Sequence, residues 1–390
     1  MVRRGSGGWL VVLLMLVVFG STGRAEVSVI LDEAGDGKGH ALKGAIGPAI
    51  DARGNLYVAG MMSHNVFRIS PSGEVRQILD RSGDGRGNEL VKPRGVAVDA
   101  EGNVYVVGQE SANVFKVTPK GEVTKIFGNR WRGKPKHRLV RPMRIAVGGG
   151  GNVYVAGQNS NNVFRITPDG EVSLVIDVTG DGRGHELRRP NGLAVDAKGN
   201  AYVVGARTRN GFKITPEGEI SQIIDSKGAG EGQGLVFPNG VALDAAGNVY
   251  VIGNNSGNLL RVAPDGEIVE LMGGRVDGVL LGAPVALTVT AEGTVFLTRL
   301  GKHCVWRVAP DGSLTKLLDA SGAGEGKAMK APRGIVLDAK GRVHVTGLGS
   351  HNVLRIVPPP PGAPLWGEPE PEAEKLPEAA PETEESEASG

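Results

Sequence analysis

Seven copies of one segment, spaced 46 to 49 residues apart, fill most of the 390-residue chain; residues 93–123, PRGVAVDAEGNVYVVGQESANVFKVTPKGEV, show its form. A period of this length means that one supersecondary unit is arrayed along the chain, so the period constrains the architecture before any local pattern does. The aspartate ending the first apolar run, or its replacement, falls at Asp51, Asp99, Gly148, Asp196, Asp244, Thr290 and Asp338. All five tyrosines, Tyr57, Tyr105, Tyr154, Tyr202 and Tyr250, occupy a single repeat position, which Phe296 and His344 fill in copies six and seven.

Within one copy the β-branched runs at residues 95–98, 104–107, 114–117 and 123–127 read as four short strands, A to D. Gly102 after strand A and Gly121 after strand C mark tight hairpin turns, where glycine takes the positive φ that a short turn demands at no steric cost. No segment beyond the first twenty or so residues has a helical period. The predicted fold class is therefore all-β: a seven-bladed β-propeller of four-stranded antiparallel blades.

The ends of the array support the count. Copy seven stops after strand C, at Ile356, and runs into Pro358, Pro359, Pro360 and Pro361, which cannot donate to a sheet ladder. Its missing strand D is found at the other end of the chain. Residues 25–40, AEVSVILDEAGDGKGH, match residues 170–185, GEVSLVIDVTGDGRGH, almost position for position. The N-terminal strand is expected to complete blade seven and close the ring without a free edge.

The segments PRGVAVDAEGNVYV, PNGLAVDAKGNAYV, PNGVALDAAGNVYV and PRGIVLDAKGRVHV, each followed by a strand of the type NVFRI, resemble NHL repeats over about 330 residues. The resemblance implies the propeller fold and does not select an activity. Propellers of this kind include gluconolactonase-like and virginiamycin lyase-like enzymes, amidating lyases, RNA-binding modules and extracellular sensor domains.

Arg3 and Arg4, an apolar run at residues 9–19 and Gly23-Arg24-Ala25 before Glu26 predict a secretory signal peptide over residues 1–25. The apolar run is too short to span a bilayer, so a secreted protein, periplasmic or extracellular, with no transmembrane segment after cleavage is expected. Cys304 is the only cysteine, so no intrachain disulfide holds the fold and the blade interfaces must do so. The propeller is expected over residues 26–357 and a disordered acidic tail over residues 358–390, which hold nine prolines, nine glutamates and one lysine. With the three leader arginines and the tail set aside, a chain of net charge +2 leaves repeats at about +7.

In a propeller the D–A and B–C loops emerge at one end and the tight A–B and C–D turns at the other, and binding usually resides among the longer loops. Three constellations belong to that loop end. Asp80-x-Ser82-x-Asp84-Gly85 and Asp177-x-Thr179-x-Asp181-Gly182, with a looser copy at Asp32 and Asp36, imitate the front half of a calcium loop. The carboxylate needed at the twelfth position is replaced by Lys43, Val91 and Arg188, so a turn that satisfies its own backbone is expected ahead of calcium at Asp80, Asp84, Asp177 and Asp181. No other cofactor is indicated. His64, His303 and His351 share one repeat position in adjacent blades. Equivalent residues on neighbouring blades sit about 13 Å apart at that radius, too far for a zinc ion, so they read as surface histidines inherited by repetition.

The third constellation is the residue following each D–A loop, expected to ring the channel mouth: Ile46, Arg94, Met143, Asn191, Asn239, Val285 and Arg333. By resemblance, gluconolactonase-like enzymes hold a divalent cation on this axis with carboxylates and a Pro-Asn-Gly asparagine. Only Asn191 and Asn239 match that element, while Arg94 and Arg333 would repel a cation, and no histidine of the kind the lyases use is present.

One loop departs from the repeat. Between blades two and three it carries Arg130, Trp131, Arg132, Lys134, Lys136, Arg138 and Arg141, with Arg94 and Arg144 expected beside it. Such a cluster suits an anionic partner, and export argues against nucleic acid, leaving an acidic polysaccharide, a lipid headgroup or an acidic protein, with which the glutamate-rich tail would compete for the basic patch. The sequence thus points to a monomeric, non-catalytic binding or protein-interaction module, with a lactonase- or lyase-type enzyme as the alternative.

Overall fold

Each repeat forms one four-stranded antiparallel sheet, and seven such sheets are arranged as a propeller. The computed structural model describes residues 25–128, 138–230, 232–276, 279–280, 283–324 and 327–359. The leader, nearly all of the acidic tail and the span 129–137 of the basic loop lie outside the described residues.

Blade two shows the pattern, with strands Pro93–Val98, Val104–Gly108, Asn113–Val117 and Val123–Gly128 paired in chain order. The inner strand begins two residues earlier than the alternation indicated, at a proline. Proline lacks an N–H and is tolerated as the first residue of a strand. A register shift between Pro93 and Gly95 follows, so the residue between them sits at a bulge.

The ring closes as the sequence match predicted. Glu26–Leu31 pairs antiparallel with Asn352–Val357, setting Val27 opposite Ile356 and Val29 opposite Leu354, and becomes the outer strand of blade seven. Ala45–Ile50 of blade one then packs beside Pro332–Leu337 of blade seven. One element was not foreseen: Arg275–Val276 and Val279–Leu280 form a small hairpin between blades five and six, where the repeated loop pattern is lost.

The core is distributed rather than central. Each blade-to-blade interface has its own apolar cluster; that between blades three and four, for example, joins Tyr154 and Val163 to Leu187, Val203 and Phe212. Strand C contributes a fully buried phenylalanine in blades one to four, Phe67, Phe115, Phe164 and Phe212. Truncating one of these to alanine removes about 3–5 kcal/mol, a large fraction of a domain's net stability.

At the turn end a polar motif repeats with the fold. Asp99 Oδ1 accepts the Asn103 N–H at 2.7 Å, and Oδ2 accepts the Asn103 amide at 2.8 Å and the Tyr105 hydroxyl at 2.9 Å. Blades one, four and five repeat it at Asp51, Asp196 and Asp244. A buried tyrosine needs a partner for its hydroxyl, which explains why every tyrosine of the chain occupies this position. Burial, reinforced by Asp51, pushes the Tyr57 phenol up to about 12. Blade seven substitutes Arg342 and His344 on Asp338, and in blade three, where Gly148 replaces the aspartate, Tyr154 turns to the Gly199 carbonyl.

Candidate functional site

The loop end was the expected location of function, and its constellations resolve differently. His64, His303 and His351 have φ of 57, 51 and 54°, a left-handed conformation in which histidine, asparagine and aspartate are over-represented. Each Nδ1 accepts a backbone N–H at the entrance to the next blade: Lys92 at 3.0 Å, Ala331 at 3.3 Å and Gly44 at 2.9 Å respectively. Asn161 does the same for Arg189 in blade three. The imidazoles are interblade braces, a more definite role than inheritance by repetition. Burial, and then the charge of Arg81, holds the His64 pKa below its ordinary value.

The aspartate loops engage their own carboxylates. Asp80 Oδ1 accepts the N–H and hydroxyl of Ser82, and Asp84 accepts the Arg86 N–H and the Asn88 amide. Asp177 and Asp181 repeat this with Thr179, Arg183 and His185. The hydrogen bond from His185 leads in holding the Asp181 carboxyl below the usual range. Among the described residues no three His, Cys, Asp or Glu side chains gather as a metal-binding group.

The remaining feature lies on the axis. At the loop end of the channel a pocket of about 200 Å³ is lined by the third and fourth residues of the inner strands together with Arg94 and Arg333. The third residue is Gly47, Gly95, Gly192, Gly240 or Gly334 in five blades and Ala286 in a sixth; blade three alone has a long side chain there, Arg144. Backbones crowd at this radius: a Cβ on Gly334 would lie 2.1 Å from Pro48 Cδ, and one on Gly192 would lie 3.1 Å from the Gly240 carbonyl carbon. The side chains missing from the other blades leave room for one guanidinium. Arg144 Nε donates to the Asn191 carbonyl at 2.6 Å and Nη2 to the Asn239 carbonyl at 3.2 Å, so an arm from blade three is anchored on blades four and five. Arg94 comes from blade two and Arg333 from blade seven, above a collar of one apolar residue per blade that includes Val96, Leu193 and Ile335.

Among the described residues no aspartate, glutamate or histidine lines this pocket. Arg94 Nη1 approaches Met61 Sδ at 3.7 Å, and the Nε atoms of Arg94 and Arg333 are withdrawn from solvent without a hydrogen-bond partner among the described residues. Burial, followed by the charges of Arg144, Arg333 and Arg141, pushes the Arg94 guanidinium down to about 9. Burial and Arg333 push Arg144 down to about 10, and burial also lowers Arg333. Guanidinium groups keep their charge at neutral pH, so the pocket concentrates positive charge with no counter-ion among the described residues that line it.

The expected ring of seven channel-mouth residues needs correction. Only Arg94 and Arg333 of that set line the pocket. Ile46, Met143 and Val285 are buried. In blades two to seven the register shift after the opening proline places the second residue at a bulge, which re-aims its side chain, and only the arginines are long enough to reach the axis. Asn191 is likewise buried, its Oδ1 accepting from the Gln158 amide, and Asn239 Nδ2 donates to the Val285 carbonyl at 3.1 Å. Their carbonyls rather than their amides serve the pocket, by holding Arg144. Arg138 and Arg141 are exposed. Arg130, Trp131, Arg132, Lys134 and Lys136 lie outside the described residues.

Sequence reasoning placed Arg144 beside the basic loop and missed its position on the axis. The available signal was an arginine in a column of glycines. A second column was missed as well: Arg68, Lys116, Arg165, Lys213, Arg261, Arg307 and Arg355 make one strand-C position basic in every blade. Each stands opposite the tyrosine position, as Arg68 does opposite Tyr57.

No family model matches the chain, and no curated protein sequence matches it. Solved structures do resemble it. A streptogramin B lyase superposes with a TM-score of 0.67 at 15% identity, covering 87% of this chain and 99% of its own. A catalytically inactive histidine-to-alanine variant of virginiamycin B lyase from Staphylococcus aureus, solved with quinupristin, gives 0.67 at 15% identity over 86% of this chain and 99% of its own. A gluconolactonase from Xanthomonas campestris gives 0.51 at 17% identity over 87% of this chain and 91% of its own. At these identities the likeness establishes the fold: the chain is a seven-bladed β-propeller built like those of the lyases and lactonases.

Proposed function

We propose that this chain is a secreted, non-catalytic binding propeller of the NHL type whose ligand is anionic and approaches the loop end of the ring. The observation that carries the reading is the axial pocket: Arg94, Arg144 and Arg333 line it and, among the described residues, no carboxylate or histidine does. Unneutralised guanidinium groups in a partly desolvated cleft attract anions and repel the divalent cation that a lactonase-type centre would need. The net positive charge of the repeats and the cations of the loop near residue 130 act in the same direction. Arg3, Arg4, the apolar run and the Gly23-Arg24-Ala25 element support export, predicting a mature N-terminus within a residue or two of Glu26.

The fold likeness keeps a lyase or lactonase as the second reading. A histidine is needed by the S. aureus lyase, as its inactive variant shows, and none lines this chain's axial pocket. Two measurements on the purified chain separate the readings: retention on a heparin column across a salt gradient, and turnover of lactone and cyclic depsipeptide substrates with and without EDTA. A binding module elutes late from heparin and turns over nothing. EDTA-sensitive turnover reverses the conclusion.

A further inference from the structure

We propose that the axial pocket is a site for one tetrahedral oxyanion of two charges, a phosphate or sulfate group either free or carried on a small ester. In it Arg94 and Arg333 grip the anion and a pre-anchored Arg144 orders it. The inference rests on the anionic-ligand reading above and narrows it to one place and one shape.

The three guanidinium groups belong to blades two, three and seven, and so converge on the axis from separate directions. A carboxylate is planar and is satisfied by one or two guanidinium forks in its own plane, whereas a tetrahedral oxyanion offers acceptor oxygens in several directions and can engage three. Arg144 is positioned before any ligand arrives: the Asn191 and Asn239 carbonyls take Nε and Nη2, two of the five donors a guanidinium carries, and leave others for a ligand. The buried Nε atoms of Arg94 and Arg333 lack partners among the described residues, as do those of the strand-C arginines Arg68, Arg165, Arg261 and Arg355, but only the axial pair lines a pocket in which a ligand could supply acceptors. A dianion would meet those donors and neutralise the mutual repulsion in one step.

Size and exit direction limit the ligand. About 200 Å³ accommodates a few groups the size of a water molecule, at about 30 Å³ each, and excludes a folded polymer. The deeper side is lined by the apolar collar, which suits a polar ester substituent poorly, so such a substituent leaves through the loop end, where Arg141 is exposed.

Isothermal titration calorimetry of the full chain at low chloride, with inorganic phosphate, sulfate, glucose 6-phosphate and citrate, tests the site. The expected result is saturable binding of phosphate and sulfate at one site per chain, with citrate weaker by about tenfold or more. The double variant Arg94→Gln with Arg333→Gln should lose about tenfold or more in phosphate affinity. Arg144→Gly, which restores the residue five other blades carry, should do likewise. Equal affinity for phosphate and glucose 6-phosphate identifies the free anion as the ligand, and a tighter sugar phosphate identifies the ester; both support the site. No saturable phosphate binding by the parent chain, or undiminished affinity in the double variant, overturns it. Heparin retention of the same proteins separates the two levels of inference. A parent that is retained on heparin but binds no phosphate refutes the axial site alone, and one that does neither refutes the broader reading with it.

Discussion

The two ends of this propeller treat positive charge in opposite ways. At the turn end every blade carries a strand-C cation beside the tyrosine position, and repetition supplies its company: Arg68 lies 4.0 Å from Glu74, Arg261 lies 3.9 Å from Glu267, and Lys116 sits 5.8 Å from the centre of the Tyr105 ring. At the loop end Arg144 stands alone in a column of glycines and one alanine, Arg94 and Arg333 share a position that carries asparagine or an apolar residue in the other five blades, and no carboxylate lines their pocket among the described residues. The repeated cations sit beside partners that the repeat itself supplies, although the Nε atoms of Arg68, Arg165, Arg261 and Arg355 lack an acceptor among the described residues, as those of Arg94 and Arg333 do. The axial cations differ in having no carboxylate among the described residues that line their pocket, which suits them to an anionic ligand.

That contrast can be broken by experiment. The closing strand sets the upper scale, since it serves neither end: deleting residues 26–31 exposes the blade-seven edge and one interface, and should cost several kcal/mol in urea titration and produce oligomers in light scattering. A truncated chain that melts like the parent would refute closure. Asp99→Ala at the turn end comes next. It strands the Tyr105 hydroxyl and the Asn103 amide, with an expected loss of about 2–4 kcal/mol. If Asp99→Ala is neutral, the hydrogen bonds of the Asp99 carboxylate do not hold the turn end together.

The axial arginines should respond with the opposite sign. Arg333→Gln relieves repulsion on Arg94 and Arg144, and in phosphate-free buffer should raise stability by up to about 1 kcal/mol, a gain that shrinks in high salt. A loss of stability in that variant would mean that the pocket is a structural element after all. The smallest effect concerns the histidine braces. Because the folded-state pKa of His64 is lowered, the unfolded chain takes up the proton first as pH falls through about 6.5, so stability is present above that pH and declines below it. Solvent screening limits this to a few tenths of a kcal/mol. His64→Asn, which copies the Asn161 brace of blade three, should flatten the decline in denaturation midpoints between pH 7.5 and 5.5.

The architecture was legible in the sequence because repetition reports on backbone periodicity directly. The match of residues 25–40 to residues 170–185 even located the closing strand, since a β-strand's partner is implied by the position it fills in the repeat. The candidate site was legible only in part. Arg94 and Arg333 were expected at the axis and line it, but the bulge that turns Met143, Asn191 and Val285 away from it depends on pairing geometry that alternation does not encode. Arg144 stood out only as a break in a glycine column, and its reach to Asn191 and Asn239 depends on how closely seven inner strands approach one another. The histidine braces were hidden for a similar reason, because each acceptor serves a backbone N–H in the next blade.

Closure through Glu26–Leu31 has a further consequence for how the chain can be cut. The natural break in the ring falls inside blade seven, between its third and fourth strands, and both ends of the repeat array lie side by side in one sheet. Joining them by a short linker and reopening the chain at another D–A loop would leave every strand pair in place while moving the seam to a boundary between blades. Such a rearranged chain would reach its native shape without holding its first strand in reserve until its last has been made.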